Sequence, residues 1–145
     1  MNASLPELFA SVIKCQECPA RGPLLRDAGE NVPQPGFVGS NYREKRVLLV
    51  GQNPGVPSPA LAAADVVYTA ALRRVRATPT EESYADLQAT LRAFVPTWPV
   101  HGRYFPLAEA GLSLDDIAYC NVVRCRTLAN AKPTTSVAST CARTH

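Results

Sequence analysis

The chain has 145 residues, 46% of them hydrophobic and 19% charged, with a net charge of +3. That length suits one domain with a real core, and the apolar share excludes wholesale disorder. No apolar run approaches the roughly 18 residues of a membrane span, and Met1-Asn-Ala-Ser-Leu-Pro-Glu7 lacks the regions of a signal peptide, so a cytoplasmic protein without membrane contact is expected.

A helix is predicted over residues 5–14. Residues 19–46, rich in Pro, Gly and Asn, read as a long ordered loop. Arg46-Val-Leu-Leu-Val-Gly51 is a short continuous apolar run closed by glycine, the pattern of a parallel strand buried on both faces. From Pro59, the apolar positions Leu61, Ala64, Tyr68, Ala71, Leu72 and Val75 recur at three and four, as on an amphipathic helix. Thr78-Pro-Thr-Glu81 reads as a capping box that starts a second helix, with Tyr84, Leu87, Leu91 and Phe94 as its buried stripe and Pro96 as its end. A short helix is expected over 107–110, then a strand over 117–123, then a helix starting at Lys132-Pro-Thr-Thr135 that carries Cys141 about two turns in. Strands alternating with helices define an α/β domain with a parallel sheet.

Five cysteines without a secretion signal argue against a disulfide scaffold. Cys15 and Cys18 form a C-x-x-C that follows a helix, and Cys125 and Cys141 come from the other end of the chain. Four such thiolates can converge on one centre. The wide second spacing fits a zinc ribbon poorly and an iron–sulfur cluster better; zinc and unligated thiols remain the alternatives. Cys120, inside a predicted strand, reads as a small buried hydrophobe.

Charge is uneven. After Asp116 no acidic residue occurs, while Arg124, Arg126, Lys132 and Arg143 remain. Such an end either meets phosphates or is a solvated basic surface.

Two polar segments follow strands, where ligands of open α/β sheets sit. Gly51-Gln-Asn-Pro-Gly55 has glycines that let a ligand approach the backbone, with Gln52 and Asn53 offering amides. A tight strand-to-helix turn is the plainer use of that string. In Asn121-Val-Val-Arg-Cys125-Arg-Thr-Leu-Ala-Asn130, an asparagine at a strand's end offers one donor and one acceptor. That pair matches O4 and N3–H of uracil, and cytosine presents the opposite pattern. Capping the strand or bonding the loop is the plainer use here too.

Four ordered features resemble the iron–sulfur uracil-DNA glycosylases: Cys15-x-x-Cys18-Pro; Val47-Leu-Leu-Val-Gly-Gln-Asn-Pro-Gly55; Ile117-Ala-Tyr-Cys-Asn-Val-Val-Arg-Cys125-Arg; and Asn130-Ala-Lys-Pro133 leading to Cys141. The resemblance covers nearly the whole chain, least clearly 56–104. It implies a single domain over 1–145 of three-layer α/β/α build, with a central parallel sheet of the uracil-DNA glycosylase type. It also implies a [4Fe–4S] cluster, zinc being the alternative, on Cys15, Cys18, Cys125 and Cys141. The partner would be uracil-containing DNA, met by a monomer that hydrolyses the N-glycosidic bond of a flipped base in base-excision repair. By the same resemblance, the loop from Gly51 to Gly55 positions water and sugar through Gln52 and Asn53, Asn121 reads the uracil edge, and Asn130 lies in the adjoining loop. Tyr68, Tyr104 and Phe105 are the candidates for the ring that stacks on the base.

The chain departs from the family at three points. Gln52 stands where an acidic residue usually follows the first glycine, and Ser58 stands near a second acidic position. The family's last motif, a histidine loop after a further strand, has no counterpart: His145 is too close to Cys141, and His101 precedes Asn121. A partial chain lacking the C-terminal part of the family fold, with an open edge strand and unburied apolar surface, is therefore expected. The competing function is a non-catalytic iron–sulfur or zinc nucleic-acid-binding module on the same scaffold.

Overall fold

The computed structural model of the chain describes residues 3–17, 24–25, 31–98 and 101–144; Cys18, His145 and the side chain of Tyr104 lie outside the described residues. Helix α1 (Leu5–Ile13) starts on a capping box in which the Ser4 hydroxyl accepts from the Glu7 amide and the Glu7 carboxylate accepts from the Ser4 amide. The Ser4 amide and hydroxyl both donate to the Glu7 carboxylate and hold its carboxyl below the usual carboxylate range. Phe9, Ala10, Val12 and Ile13 are buried, and the helix closes at Lys14, so Cys15 follows directly, in keeping with the expected helix over 5–14.

The proposed long loop contains more structure than its composition suggests. It carries β1 (Leu24–Leu25), β2 (Phe37–Val38) and the single turn α2 (Tyr42–Lys45). Gly36 enters β2 at φ +113°, where a Cβ would collide with the Tyr119 carbonyl oxygen. Strand β3 (Val47–Gly51) follows, and β4 (Ile117–Asn121) pairs with it in parallel from Val47 opposite Ile117 to Gly51 opposite Asn121. Strand β2 adds antiparallel to the other side of β4, giving the order β2-β4-β3. β4 ends two residues earlier than expected because Val122 and Val123 donate to the carbonyls of Gly51 and Gln52, at 2.9 Å each, in the loop beyond β3.

The second apolar stretch forms one 3-10 turn over Pro59–Leu61 and then α3 (Ala62–Ala77). Its partner α4 (Glu81–Phe94) is capped by Thr80, not Thr78: Thr80 Oγ1 accepts from the Ser83 amide, and Ser83 Oγ accepts from the Thr80 amide. The residue at the third helical position is therefore Ser83. Helices α1, α3 and α4 pack together over Phe37 and Tyr119 of the sheet, burying Tyr68, Leu72, Val75, Leu87, Leu91 and Phe94. This is the apolar stripe expected of both helices.

Two further expectations are corrected. The segment 107–111 is a turn: Pro106 before it and Gly111 (φ +65°) after it leave too few residues for a helix, which appears earlier as the single turn α5 (His101–Tyr104). Strand β3 is buried on one face only, because its side chains alternate. Val47 and Leu49 pack with Ile117 and Phe105, whereas Leu48 and Val50 are 49% and 57% exposed. The described sheet is thus mixed, with one parallel pair and one antiparallel pair, in a chain of both helix and strand. Cys120 shares that second face and is half-buried.

Candidate binding cavity

A cavity of about 600 Å³ opens at the carboxyl ends of β3 and β4, a volume in the range of small-molecule sites. Its floor is made by the last residues of both strands. Asn121 is 3% exposed, and a Cβ on Gly51 directly opposite would collide with its Oδ1. The glycine is required there by contact, not by backbone conformation.

Period two along β4 brings Tyr119 to the same face as Asn121. Tyr119 meets Phe105 edge-on with ring centroids 5.2 Å apart and Trp98 at 5.7 Å, and Trp98 meets Phe94 at 5.9 Å. Phe94, Trp98, Phe105 and Tyr119 therefore form an aromatic wall above a carboxamide. Burial pushes the Tyr119 phenol up to about 12, and its hydrogen bond to the Asn121 side chain partly offsets that rise. The His101 ring stacks on Phe105 from behind, at 5.6 Å.

The opposite wall is the loop 51–58, tied down along its length. Asn53 Nδ2 donates to Thr127 Oγ1 at 3.3 Å, Arg126 Nε donates to the Gly55 carbonyl at 3.0 Å, and the Val56 amide donates to Asn130 Oδ1 at 2.7 Å. All three partners come from β5 (Arg126–Thr127), which pairs with β1, and the turn after it. In that turn Ala129 and Asn130 adopt φ of 52° and 55°. Asparagine tolerates the left-handed region; alanine adopts it at a cost. Arg126 also forks onto both carboxylate oxygens of Asp65, in the first turn of α3, with both side chains 4% exposed.

The structure brings Gly51, Gln52, Asn53, Gly55 and Asn121 together on the cavity. Gln52 is exposed, and the carboxamides of Asn53 and Asn130 are engaged in shaping the loop. Among the stacking candidates, Phe105 is on the wall. Tyr68 is 2% exposed in the helical core, against Phe94 at 5.7 Å, and is not a wall residue.

Asp65, Trp98, Arg126, Gln34 and Tyr119 also line the cavity. Asp65 had a signal in the sequence: it sits three before Tyr68 and seven before Leu72, on the apolar stripe of α3, where a carboxylate needs a partner. Nothing local in the sequence marks Trp98. Of the four cations in the acid-free end, Arg126 is buried in its ion pair and Arg124 Nη1 donates to the Pro35 carbonyl, which leaves Lys132 and Arg143 exposed.

The thiols gather in part. Cys125 and Cys141 share a buried cluster with Val123 and Val137, and the Arg124 amide donates to Cys141 Sγ at 3.4 Å. α6 (Thr135–Thr144) presents Val137 and Cys141 on one buried face, and the Thr134 hydroxyl accepts from the Val137 amide at its start. Cys15 is half-buried after α1. Among the described residues no three His, Cys, Asp or Glu side chains form a metal-holding group. Of the four expected ligands, the structure brings Cys125 and Cys141 into one buried cluster.

No family model matches the chain, and no curated protein matches it. Among the described residues, no helix is long and apolar enough to cross a membrane.

Proposed function

We propose that the cavity receives a uracil base rotated out of DNA and that the protein is a uracil-DNA glycosylase of the iron–sulfur kind, with the three-layer α/β/α fold and parallel central sheet of that family. One observation carries the reading: Asn121, a buried carboxamide at a strand's end, stands on the floor of an aromatic-walled cavity and faces a glycine. A pyrimidine needs a flat apolar face and an edge of paired donors and acceptors; the aromatic wall supports the first, and the Asn121 carboxamide, which also bonds Tyr119, supports the second.

In the reaction, the bond between the sugar C1′ and the base N1 breaks, water adds to C1′, and the base leaves with the electron pair and then a proton. The backbone of the loop 51–58, with Gln52 at its exposed start, places the water and the sugar. Asn121 stabilises charge on the departing base. Cys15, Cys18, Cys125 and Cys141 would hold the cluster, whose contribution is structural, bracing the chain near Arg126 and Thr127.

One observation favours the non-catalytic alternative. Asp65, the carboxylate on the cavity wall, is committed to Arg126 and does not stand free as a base. Incubation with a uracil-containing oligonucleotide separates the two. Abasic sites form with the wild type and not with Asn121→Ala, which retains non-specific DNA binding. A wild-type chain that binds DNA and leaves no abasic sites is the binding module instead.

A further inference from the structure

We propose that Arg126 is a positioning residue for the cavity: it holds the loop 51–58 at a set distance from α3 through Asp65, and so sets the opening above Asn121. The inference rests on the reading of the cavity as a base-binding site.

Three nitrogens of one guanidinium join three separate parts of the fold. Nη1 and Nη2 meet the two carboxylate oxygens of Asp65 in α3, and Nε meets the Gly55 carbonyl in the loop. Arg126 itself belongs to β5, one residue beyond the buried Cys125. The next residue, Thr127, takes Asn53 of the same loop. Two consecutive residues of β5 thus hold the loop at two points, from a segment packed beside the Cys125–Cys141 cluster.

A planar fork fixes direction as well as distance, which a lysine ammonium does not. The paired charges cancel, so the wall stays neutral where an uncharged ring would lie. Gly55 has no Cβ, and the nearest atom to one added there is Asn130 Oδ1 at 3.8 Å, so the loop is not wedged in place at this point by packing. At Gly55 the hydrogen bond from Arg126 sets the loop's position, while the neighbouring Pro54 is buried.

The test uses the full chain with Arg126→Lys, which keeps a cation beside Asp65 and loses the fork, and Asp65→Asn. Amide hydrogen exchange is followed in the loop and in β3 and β4, and uracil is titrated against the fluorescence of Trp98, the only tryptophan. The expected result is exchange about tenfold faster at Val56, whose amide is bonded to Asn130, with Leu49 within about twofold of wild type. Uracil affinity falls about tenfold in the same variants. Loop exchange unchanged in folded variants overturns the proposal. So does exchange raised equally through β3 and β4, or loss of the fold in Arg126→Lys, because the role would then be structural alone. A wild type that binds no uracil sinks the base-binding reading, and the exchange contrast then still decides the positioning role.

Discussion

Gly51 and Asn121 stand directly opposite each other at the ends of the parallel strands β3 and β4, and the side chain that one lacks is the space the other occupies. The register that pairs Val47 with Ile117 at the start of the ladder delivers this match at its end, four residues later on each strand. A slip of one residue would turn Asn121 to the opposite face. The site is therefore a consequence of strand pairing before it is a consequence of any loop.

Gly51→Ala places a methyl group against the Asn121 carboxamide. It should destabilise the fold by about 1–3 kcal/mol through overpacking, and base binding should fall more steeply than stability does. Urea unfolding alongside uracil titration checks this. Unchanged binding in a folded variant would remove Asn121 from the floor of the site.

Asn130 serves the loop in two ways, through its bond to the Val56 amide and through its left-handed backbone at φ 55°. Asn130→Gly loses only the bond, a cost of about 1 kcal/mol. Asn130→Ala adds a left-handed strain of about 1–2 kcal/mol. The alanine variant should unfold at lower urea than the glycine variant; equal midpoints would mean that the turn carries no strain.

Alkaline pH should unfold the protein by way of its tyrosines. Burial pushes the phenols of Tyr119 and Tyr84 up to about 12 from the ordinary 10.0, and that of Tyr68 higher still. Between those values the folded state keeps a proton that the unfolded state has released, so stability falls as pH rises. It is fully present below pH 10 and lost as pH passes through about 12. A melting temperature that holds constant from pH 9 to pH 12 would contradict this.

If the thiols hold a cluster, anaerobically purified protein is brown and contains iron, and Cys141→Ala is pale and poor in iron while Cys120→Ala is not. A colourless wild type with stoichiometric zinc would replace iron by zinc on the same residues.

Truncating Leu91, which is 1% exposed among the helices over the sheet, tests the core that carries the site. Leu91→Ala should cost about 2–5 kcal/mol, read as a fall in the urea midpoint with little change in slope. A loss below 1 kcal/mol would mean that the three-helix layer is loosely packed.

Much of this architecture was legible from residue order. Apolar spacing marks α3 and α4 because a helix buries one stripe, and the run Val47-Leu-Leu-Val ending in glycine marks β3. Capping chemistry was less so: Thr78 and Thr80 are both followed three residues later by a possible partner, and only the chain's path selects Thr80 with Ser83. The one-sided burial of β3 is not legible in its sequence, because a continuous apolar run does not report what covers each face.

By itself, the sequence determined α1, α3, α4, α6, β3 and the start of β4, and that polar segments follow β3 and β4, because each of these depends on neighbours within a few positions. Only the tertiary structure decided that Gly51 faces Asn121, that Arg126 spans 61 positions to Asp65 in the buried wall, and that Phe105 and Trp98 supply the wall while Tyr68 belongs to the core. Those relationships depend on strand register and helix packing, and register and packing are properties of pairs of segments brought together by burial, with no signal in either segment alone.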